Sequence, residues 1–276
     1  MPEKISAIIL NYKHLDDTVK CLKSLKKSVG GNRVDYYIVD NSPEAKTEKF
    51  INSKFTKVKY IPSEENLGFA AGNNLAIKKA LAAGSDYVLV INPDVTVGKQ
   101  FFIPLQKHFE NNKVGIVAPV ITHSQKDEHV FGLEGKVDWK LAKPEHRNLK
   151  KIKNFSPINS EFVTFACVLI SKETFRKAGL LDEGYFMYFE DVDYCLSAGK
   201  AGFKIILDPK VEVGHCTSSS FARPTQKLLI SFWSHLRFIK KWLPISQRLI
   251  PYIFAFVTYP YLYLLWTYHG LKYKNV

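Results

Sequence analysis

The chain alternates short apolar runs with stretches whose apolar positions recur at helical spacing. Residues 5–10, 36–39 and 87–91 are rich in β-branched and aromatic side chains, which is typical of strands buried on both faces. Residues 16–28 and 69–82 have the spacing of helices, and Gly84 is a stop signal after the second one. Strands that alternate with helices predict an α/β fold with a mostly parallel sheet flanked by helices.

Short polar residues end three of the predicted strands. Asn11, Asp40 and Asp94 follow the apolar runs, so their side chains should converge on one edge of the sheet. In an open α/β sheet the ligand lies beyond the carboxyl ends of the strands. Pro93 fixes φ and removes a backbone donor, which makes the turn Asn92-Pro93-Asp94 rigid. The alternative is an ordinary turn after a core strand.

Glycines and small residues precede the second predicted helix. Residues 65–74 have the sequence Glu-Asn-Leu-Gly-Phe-Ala-Ala-Gly-Asn-Asn. Backbone N–H groups and the positive end of a helix that begins here predict a site for an anion such as a diphosphate. In the alternative, Gly72 only permits close packing, and Asn73 and Asn74 face solvent. Neither the P-loop spacing nor the dinucleotide fingerprint is present.

Three carboxylates lie within four positions of a largely aromatic segment. Glu190, Asp191 and Asp193 follow Tyr188 and Phe189. Crowded and partly desolvated carboxylates repel one another, which raises the pKa of at least one of them and suits a general base. The alternative is a helix N-terminus, where acidic residues interact favourably with the helix dipole.

Composition narrows the range of functions. A chain of 276 residues with 46% hydrophobic content is long and apolar enough to form a globular core. The net charge of +13 favours an anionic substrate, an anionic membrane or nucleic acid as a partner. The four cysteines form no C-x-x-C pair and suit a reducing cytosol. The N-terminus has no signal-peptide pattern, so we expect the catalytic body to stay in the cytoplasm.

An uncharged apolar stretch lies near the C-terminus. Residues 249–268 contain no formally charged side chain, and about twenty apolar residues are needed to cross a bilayer core. Pro251 and Pro260, many aromatic side chains and basic residues on both sides favour a broken helix that lies in, or dips into, the cytoplasmic leaflet. The alternative is a helix buried in a soluble homodimer. Membrane attachment also accounts for the positive charge.

Together these motifs resemble glycosyltransferase family 2, in particular its bacterial rhamnosyltransferase-like members, which have the GT-A fold. The resemblance covers roughly residues 4–242 and depends on the order and spacing of five motifs. The motifs are Asn11-Tyr12, Val39-Asp40-Asn41-Ser42, residues 65–74, Asn92-Pro93-Asp94 and Phe189-Glu190-Asp191-Val192-Asp193.

The resemblance implies an inverting transferase that uses a nucleoside-diphosphate sugar and a divalent metal, Mg²⁺ or Mn²⁺. It implies that Asp94 and His215 hold the metal, with Asn92 in the place of the first aspartate of the family's Asp-x-Asp motif. Asp191 would be the general base and Glu190 would bind the acceptor. A structural role is the alternative for the lone histidine.

We expect substrate contacts from a set of mostly polar residues, and we expect Asp193 to be structural. Through the resemblance, Asp40 would contact the nucleobase or ribose, while a basic side chain at position 223 would balance phosphate charge. The expected substrate-binding residues are Asn11, Tyr12, Asp40, Asn41, Asn66, Gly68, Asn73, Asn74, Asn92 and Arg223.

Less regular sequence occupies the second half of the chain. Residues 122–157 are polar, rich in lysine and without a clear period, which indicates an acceptor-side loop region or a solvated insertion. Residues 162–170, 204–207 and 211–213 predict further strands, and Ser171 is the expected cap of a short helix. The expected domains are a GT-A catalytic domain over residues 1–224 and a membrane-associating helical segment over 225–276. Within the catalytic domain, residues 1–120 would form the nucleotide-sugar-binding half and residues 121–224 the acceptor-side half.

The expected function is transfer of a sugar, L-rhamnose from a dTDP donor as the first candidate, in bacterial cell-surface polysaccharide synthesis. The acceptor would be a saccharide linked to polyprenyl diphosphate at the cytoplasmic face of the plasma membrane. A second hypothesis is a catalytically impaired nucleotide-sugar-binding or scaffold subunit, motivated by Asn92. Nucleic-acid binding ranks last, because aromatic and basic residues interleave only in the apolar tail.

Overall fold

A computed structural model describes residues 3–29, 32–125, 128–151, 153–215 and 224–272. Within them, eleven strands form one mixed sheet, and eight α-helices and two short 3-10 helices connect or cover it. The strands are β1 (Lys4–Asn11), β2 (Arg33–Asp40), β3 (Val58–Pro62), β4 (Tyr87–Ile91), β5 (Val95–Val97), β6 (Val114–Gln125), β7 (Glu128–Asp138), β8 (Lys143–Leu149), β9 (Ile158–Ser160), β10 (Cys167–Ser171) and β11 (Lys204–His215). The α-helices are α1 (Leu15–Lys27), α2 (Ala45–Lys54), α3 (Gly68–Ala82), α4 (Phe102–Lys107), α5 (Lys172–Ala178), α6 (Glu190–Lys200), α7 (Pro224–Trp242) and α8 (Leu249–Lys272). The 3-10 helices are His108–Glu110 and Ile245–Gln247.

The sheet has the strand order β3-β2-β1-β4-β10-β6-β11-β5. Its first four strands are parallel, so their carboxyl ends meet at the same edge. β10 lies antiparallel between β4 and β6, whereas β11 runs parallel to β6. The predicted α/β fold with flanking helices is confirmed, and the sheet is mixed, with its parallel part formed by β3, β2, β1 and β4 and by the pair β6 and β11.

Apolar side chains pack on both faces of the sheet. Along β4, Val88 and Val90 belong to the cluster that contains side chains of α3, α6 and α7. Leu89 and Ile91 belong to the opposite cluster with side chains of α1, α2 and α4. All five residues of β4 are buried, because every side chain meets a helix layer on one face or the other. The prediction for this strand is therefore confirmed.

The loop or solvated insertion predicted over residues 122–157 is wrong. β6 extends to Gln125, and β7 and β8 form an antiparallel hairpin beside it. Asp138 shapes the turn of the hairpin by accepting from the backbone N–H of Lys140 at 2.9 Å, and Glu161 accepts from the N–H of Val137 at 3.0 Å. Residues 145–148 of β8 are exposed, so no apolar alternation marks the strand.

Three further boundaries differ from the sequence predictions. The two short strands expected at 204–207 and 211–213 are one strand, β11, with an irregularity between Asp208 and Glu212. The strand expected at 162–170 begins only at Cys167. α8 continues through Pro260, so the expected broken helix is wrong. The cap at Ser171 is confirmed, because its side chain accepts from the N–H of Thr174.

α8 has the length and composition of a membrane-spanning helix. Its segment Leu249–Tyr268 has a mean hydropathy of 1.4, and only 11% of its apolar window is buried in the protein. Leu249, Val257 and Leu264 are 64–69% exposed. One side of the helix packs on α7 through Ala255, which is fully buried. The other side therefore presents a large apolar surface.

Candidate active site

A cavity of about 1270 Å³ lies beyond the carboxyl ends of β1, β2 and β4. It extends from the turn after β1, past the start of α6, to α7 and α8. Nine of the expected site residues line it: Tyr12, Asn41, Asn66, Gly68, Asn92, Asp94, Glu190, Asp191 and His215. Arg223 lies outside the described residues. The other four expected residues, Asn11, Asp40, Asn73 and Asn74, are not among the residues that line the cavity.

Asp94 and His215 meet at one end of this cavity. The antiparallel pairing of β5 with β11 places His215 opposite Val95, the residue after Asp94. Asp94 Oδ1 and His215 Nε2 are 3.1 Å apart, and the two side chains are 8% and 19% exposed. The preceding turn is fixed by Asn92, whose N–H donates to the carbonyl of Ala166 at 2.8 Å. The carboxylate oxygen of Asp94 and the imidazole nitrogen of His215 thus face the same point of the cavity, although the two residues are 121 positions apart in the sequence.

Asn41 organises the loop that leads into α3. Its Nδ2 donates to Asn66 Oδ1 at 3.2 Å and to the carbonyl of Gly68 at 2.9 Å. The N–H of Gly68 donates to Asn66 Oδ1, and the N–H of Phe69 donates to the carbonyl of Phe186. These two amides therefore bind protein acceptors, and the expectation that the first amides of α3 face a diphosphate is wrong for them. Asn66 and the Gly68 turn remain at the cavity wall.

Asp40 is fully buried behind the lining. It accepts from Asn11 Nδ2 at 2.9 Å, from the N–H of Ser42 at 3.0 Å and from the hydroxyl of Tyr60 at 2.7 Å. Burial, and then the hydrogen bond to Asp40, raise the pKa of Tyr60. Both oxygens of Asp40 thus order neighbouring groups, and its contact with a nucleobase or ribose stays a prediction.

Asn73 and Asn74 are fully buried in α3 rather than facing solvent. Asn73 Nδ2 donates to the carbonyl of Phe69 at 2.9 Å. Asn74 Nδ2 donates to the carbonyl of Leu181 and to Glu183 Oε1, both at 2.9 Å. Asn74 therefore connects α3 to the segment that leads into α6, and both side chains have structural partners in this arrangement.

Glu190 and Asp191 form a pair of carboxylates at the start of α6. Glu190 is 6% exposed, and its Oε2 has no hydrogen-bond partner among the described residues. Burial and then the charge of Asp191 raise the pKa of Glu190 well above its usual range. Burial also raises the pKa of Asp191, while His146 and the N–H of Val192 oppose that change. Burial thus raises the pKa of both members of the pair, and the partly exposed Asp191 faces the cavity.

Sequence reasoning missed several residues of the cavity wall. His146 comes from β8, and Lys227, Ile230 and Tyr259 come from α7 and α8. His146 belongs to a strand without apolar alternation, so no periodic signal marked it. The residues of α7 and α8 stand in segments that the sequence assigned to membrane attachment. The acceptor-side wall of the cavity could therefore be found only from the tertiary arrangement.

Comparison with known proteins gives a consistent family. The family model described as Glycosyl transferase family 2 matches residues 6–179. The low-salt glycan biosynthesis hexosyltransferase Agl10 of Haloferax volcanii is 26% identical over 216 residues, which are 74% of this chain and 64% of Agl10. The N-acetylglucosaminyl-diphospho-decaprenol L-rhamnosyltransferase of Mycobacterium tuberculosis H37Rv is 27% identical over 207 residues, 67% of this chain and 65% of that protein. This chain thus spans slightly less than two thirds of the length of both relatives.

A solved structure shares the fold. The crystal structure of GalNAc-T7 with UDP, GalNAc and Mn²⁺ has a TM-score of 0.65 and 16% sequence identity. The match covers 88% of this chain and 52% of GalNAc-T7. At this identity the likeness concerns the fold alone.

Proposed function

This chain belongs to Glycosyl transferase family 2, and from that premise we propose that it transfers a sugar from a nucleoside-diphosphate donor to a lipid-linked saccharide. L-rhamnose from a dTDP donor is the first candidate, because a relative is named as an L-rhamnosyltransferase. Its name also supports a polyprenyl-diphosphate-linked acceptor. One observation carries the proposal: the Asp94–His215 pair and the Glu190–Asp191 pair line the same cavity.

In this proposal the donor lies at the end of the cavity formed by β1, β2 and β4. Tyr12, Asn41 and Asn66 line that end and offer an aromatic face and amide groups to the nucleotide. Asp40 acts from behind by holding Asn11 and Ser42. The donor end is thus built on strand ends, which keeps its polar groups in fixed positions.

The donor set of Asp94 and His215 fits a divalent cation. A carboxylate oxygen and an imidazole nitrogen 3.1 Å apart suit Mn²⁺ or Mg²⁺. Among the described residues, no group of three or more His, Cys, Asp or Glu side chains forms a metal site. Asp94 and His215 are the two residues that would hold such an ion. When bound, such an ion neutralises charge that develops on the leaving diphosphate.

Asp191 is the proposed general base. It removes the proton from the acceptor hydroxyl while that oxygen forms a bond to the anomeric carbon from the face opposite the diphosphate. The bond between the anomeric carbon and the diphosphate oxygen breaks, and the diphosphate leaves with the electron pair, which inverts the anomeric centre. Glu190, whose pKa is raised by burial, would donate a hydrogen bond to the acceptor.

We further propose that α8 attaches the enzyme to the cytoplasmic face of a membrane. Its exposed apolar surface and the nearby Lys240, Lys241 and Arg248 suit an anionic leaflet. The cavity reaches α7 and α8 at Leu229, Ile230 and Tyr259, which would place a polyprenyl chain beside the bilayer. The proposed division is a catalytic domain over residues 1–224, with donor and acceptor halves that meet near residue 120, and a membrane-associating segment over 225–276.

A panel of nucleotide sugars tests the proposal. Purified full-length protein is incubated with each donor, Mn²⁺ and a polyprenyl-diphosphate-linked saccharide, and nucleoside-diphosphate release and labelled lipid product are both measured. The proposal predicts acceptor-dependent release and labelled lipid with at least one donor. Donor binding without turnover for every donor would favour the scaffold hypothesis instead.

A further inference from the structure

The segment from Phe186 to Phe189 has an unusual backbone just before the two carboxylates. Tyr188 and Phe189 have φ angles of 68° and 69°, in the left-handed region that side chains with a Cβ rarely adopt. Phe189 is the N-cap residue of α6, and Glu190 is its first helical residue. Two consecutive residues in this conformation persist only where surrounding contacts hold them.

The loop that leads into α3, residues 65–69, is called the donor loop here. It contacts the N-terminal end of the segment from Phe186 to Phe189. The N–H of Phe69 donates to the carbonyl of Phe186 at 2.6 Å. Gly68 packs so closely on the same carbonyl that a Cβ at position 68 would lie 2.2 Å from its oxygen. The donor loop and the segment before α6 are therefore in direct backbone contact.

Ser234 and His235, two neighbouring residues of α7, hold the C-terminal part of the segment from Phe186 to Phe189. The hydroxyl of Ser234, a residue that is 4% exposed, donates to the carbonyl of Met187 at 2.8 Å. The ring of His235 stacks on the ring of Phe189, with centroids 5.2 Å apart and planes inclined by 17°. Burial lowers the pKa of His235, and its Nε2–H donates to the carbonyl of Leu141 at 3.0 Å. His235 thus lies between the β7–β8 turn and the left-handed residues.

α7 also binds the first turn of α6. Asp193 is 2% exposed and accepts from Lys241 Nζ and Trp242 Nε1, each at 2.7 Å. Lys241 Nζ also donates to Asp182 at 2.8 Å, and the hydroxyl of Tyr185 donates to Asp193 at 3.2 Å. α7 therefore contacts the segment before Glu190 and the helix after Asp191. Either contact alone would leave one side of the carboxylate pair unsupported.

We propose that Ser234 and His235 are positioning residues for Glu190 and Asp191. By holding Met187 and Phe189, they maintain the left-handed turn that directs the start of α6 into the cavity. This inference rests on the proposed function for its catalytic consequence. It makes α7 a part of the catalytic machinery as well as a partner of the apolar helix α8.

Ser234→Ala tests the inference in the full-length protein, with Ser234→Thr as the variant that retains the hydroxyl. Ser246→Ala is the matched control, because it makes the same change at an exposed position in the 3-10 helix Ile245–Gln247, between α7 and α8. Amide hydrogen exchange is measured over residues 186–193, and donor affinity, kcat and Tm are measured on the same samples. We expect exchange there to rise, and kcat to fall, by about tenfold in Ser234→Ala, the scale of one buried hydrogen bond. Donor affinity should stay within about twofold, and Ser234→Thr should restore both properties.

Unchanged exchange over residues 186–193 in Ser234→Ala overturns the inference, and so does full kcat in a variant whose exchange has risen. An equal loss of kcat in Ser246→Ala also overturns it. If the wild-type protein transfers no sugar at all, the proposed function fails. The exchange measurement still decides in that case whether α7 holds the turn.

Discussion

Replacing Gly68 by alanine should separate the two loops that meet at the cavity. Gly68 has a φ of 76°, and an added Cβ would lie 2.2 Å from the carbonyl oxygen of Phe186 and 2.8 Å from its Cδ2. The side chain cannot be placed without moving either the donor loop or the segment before α6. The hydrogen bond from Phe69 to Phe186 should then be lost.

The magnitude follows from two separate costs. A residue with a Cβ in the left-handed region costs about 1–2 kcal/mol. Forcing a methyl group into a filled position costs about 1–3 kcal/mol more. Gly68→Ala should therefore lower the free energy of unfolding by about 2–5 kcal/mol, out of a total that is typically about 5–15 kcal/mol.

Gly84→Ala is the matched control. Gly84 has a φ of 78°, but a Cβ built there meets no atom within 4 Å. It should cost only about 1–2 kcal/mol for its backbone, and it should bind donor normally. Urea unfolding followed by circular dichroism gives the free energies, and calorimetry gives the donor affinity. Equal destabilisation by the two variants, with normal donor binding in Gly68→Ala, would refute the assigned contact with Phe186.

Three further changes address the metal, the carboxylate pair and the membrane. Asp94→Ala should abolish Mn²⁺-dependent donor binding in calorimetry, because it removes the carboxylate beside His215. The folded state raises the pKa of Glu190 above its ordinary value of 4.5, so stability is greatest below that pH and is lost as pH rises through the raised pKa. Glu190→Gln stays neutral, and it should therefore raise Tm relative to wild type more at about pH 8 than at about pH 5. Val257→Glu should reduce flotation with anionic liposomes, because Val257 is 64% exposed on α8. Asn112→Glu adds the same charge at an exposed position outside α8 and should float normally.

Each of these outcomes has a clear opposite. Donor affinity of Asp94→Ala that still responds to EDTA as in wild type would contradict the metal assignment. A Tm difference for Glu190→Gln that does not grow with pH would show that Glu190 ionises freely. Equal flotation of Val257→Glu and Asn112→Glu at low salt would contradict the proposal that α8 contacts the membrane.

The sequence predicted the elements whose burial is uniform. β4 is buried on both faces, so its apolar run is continuous and its boundaries could be predicted closely. The β7–β8 hairpin was missed because its stabilising contacts are long-range. One example is the hydrogen bond that Trp139 Nε1 donates to Glu161 Oε1 at 2.9 Å. α8 was expected to break at its prolines because an interior proline removes one backbone hydrogen bond, yet the helix continues through Pro260.

The candidate site was predictable where it depended on strand ends and motif order. Asp94 and Asp191 could be singled out on that basis, although their roles remain proposals. The left-handed turn at Tyr188 and Phe189 could not be predicted, because neither residue is a glycine and the contacts from α7 come from more than forty positions away. His146 could not be predicted for the same reason. It lowers the pKa of Asp191 electrostatically only because the β7–β8 hairpin brings the two residues together in the tertiary structure.

Sugar transfer by Asp191→Asn decides whether the carboxylate of Asp191 is the general base. Wild type and variant are compared for transfer of labelled sugar from the active donor to the polyprenyl-diphosphate-linked saccharide, with donor affinity measured on the same samples. We expect intact donor binding and a rate lowered by about 10²–10⁴-fold, because the shape is kept while the proton acceptor is lost. A rate within a few-fold of wild type would contradict the assignment of Asp191 as the general base.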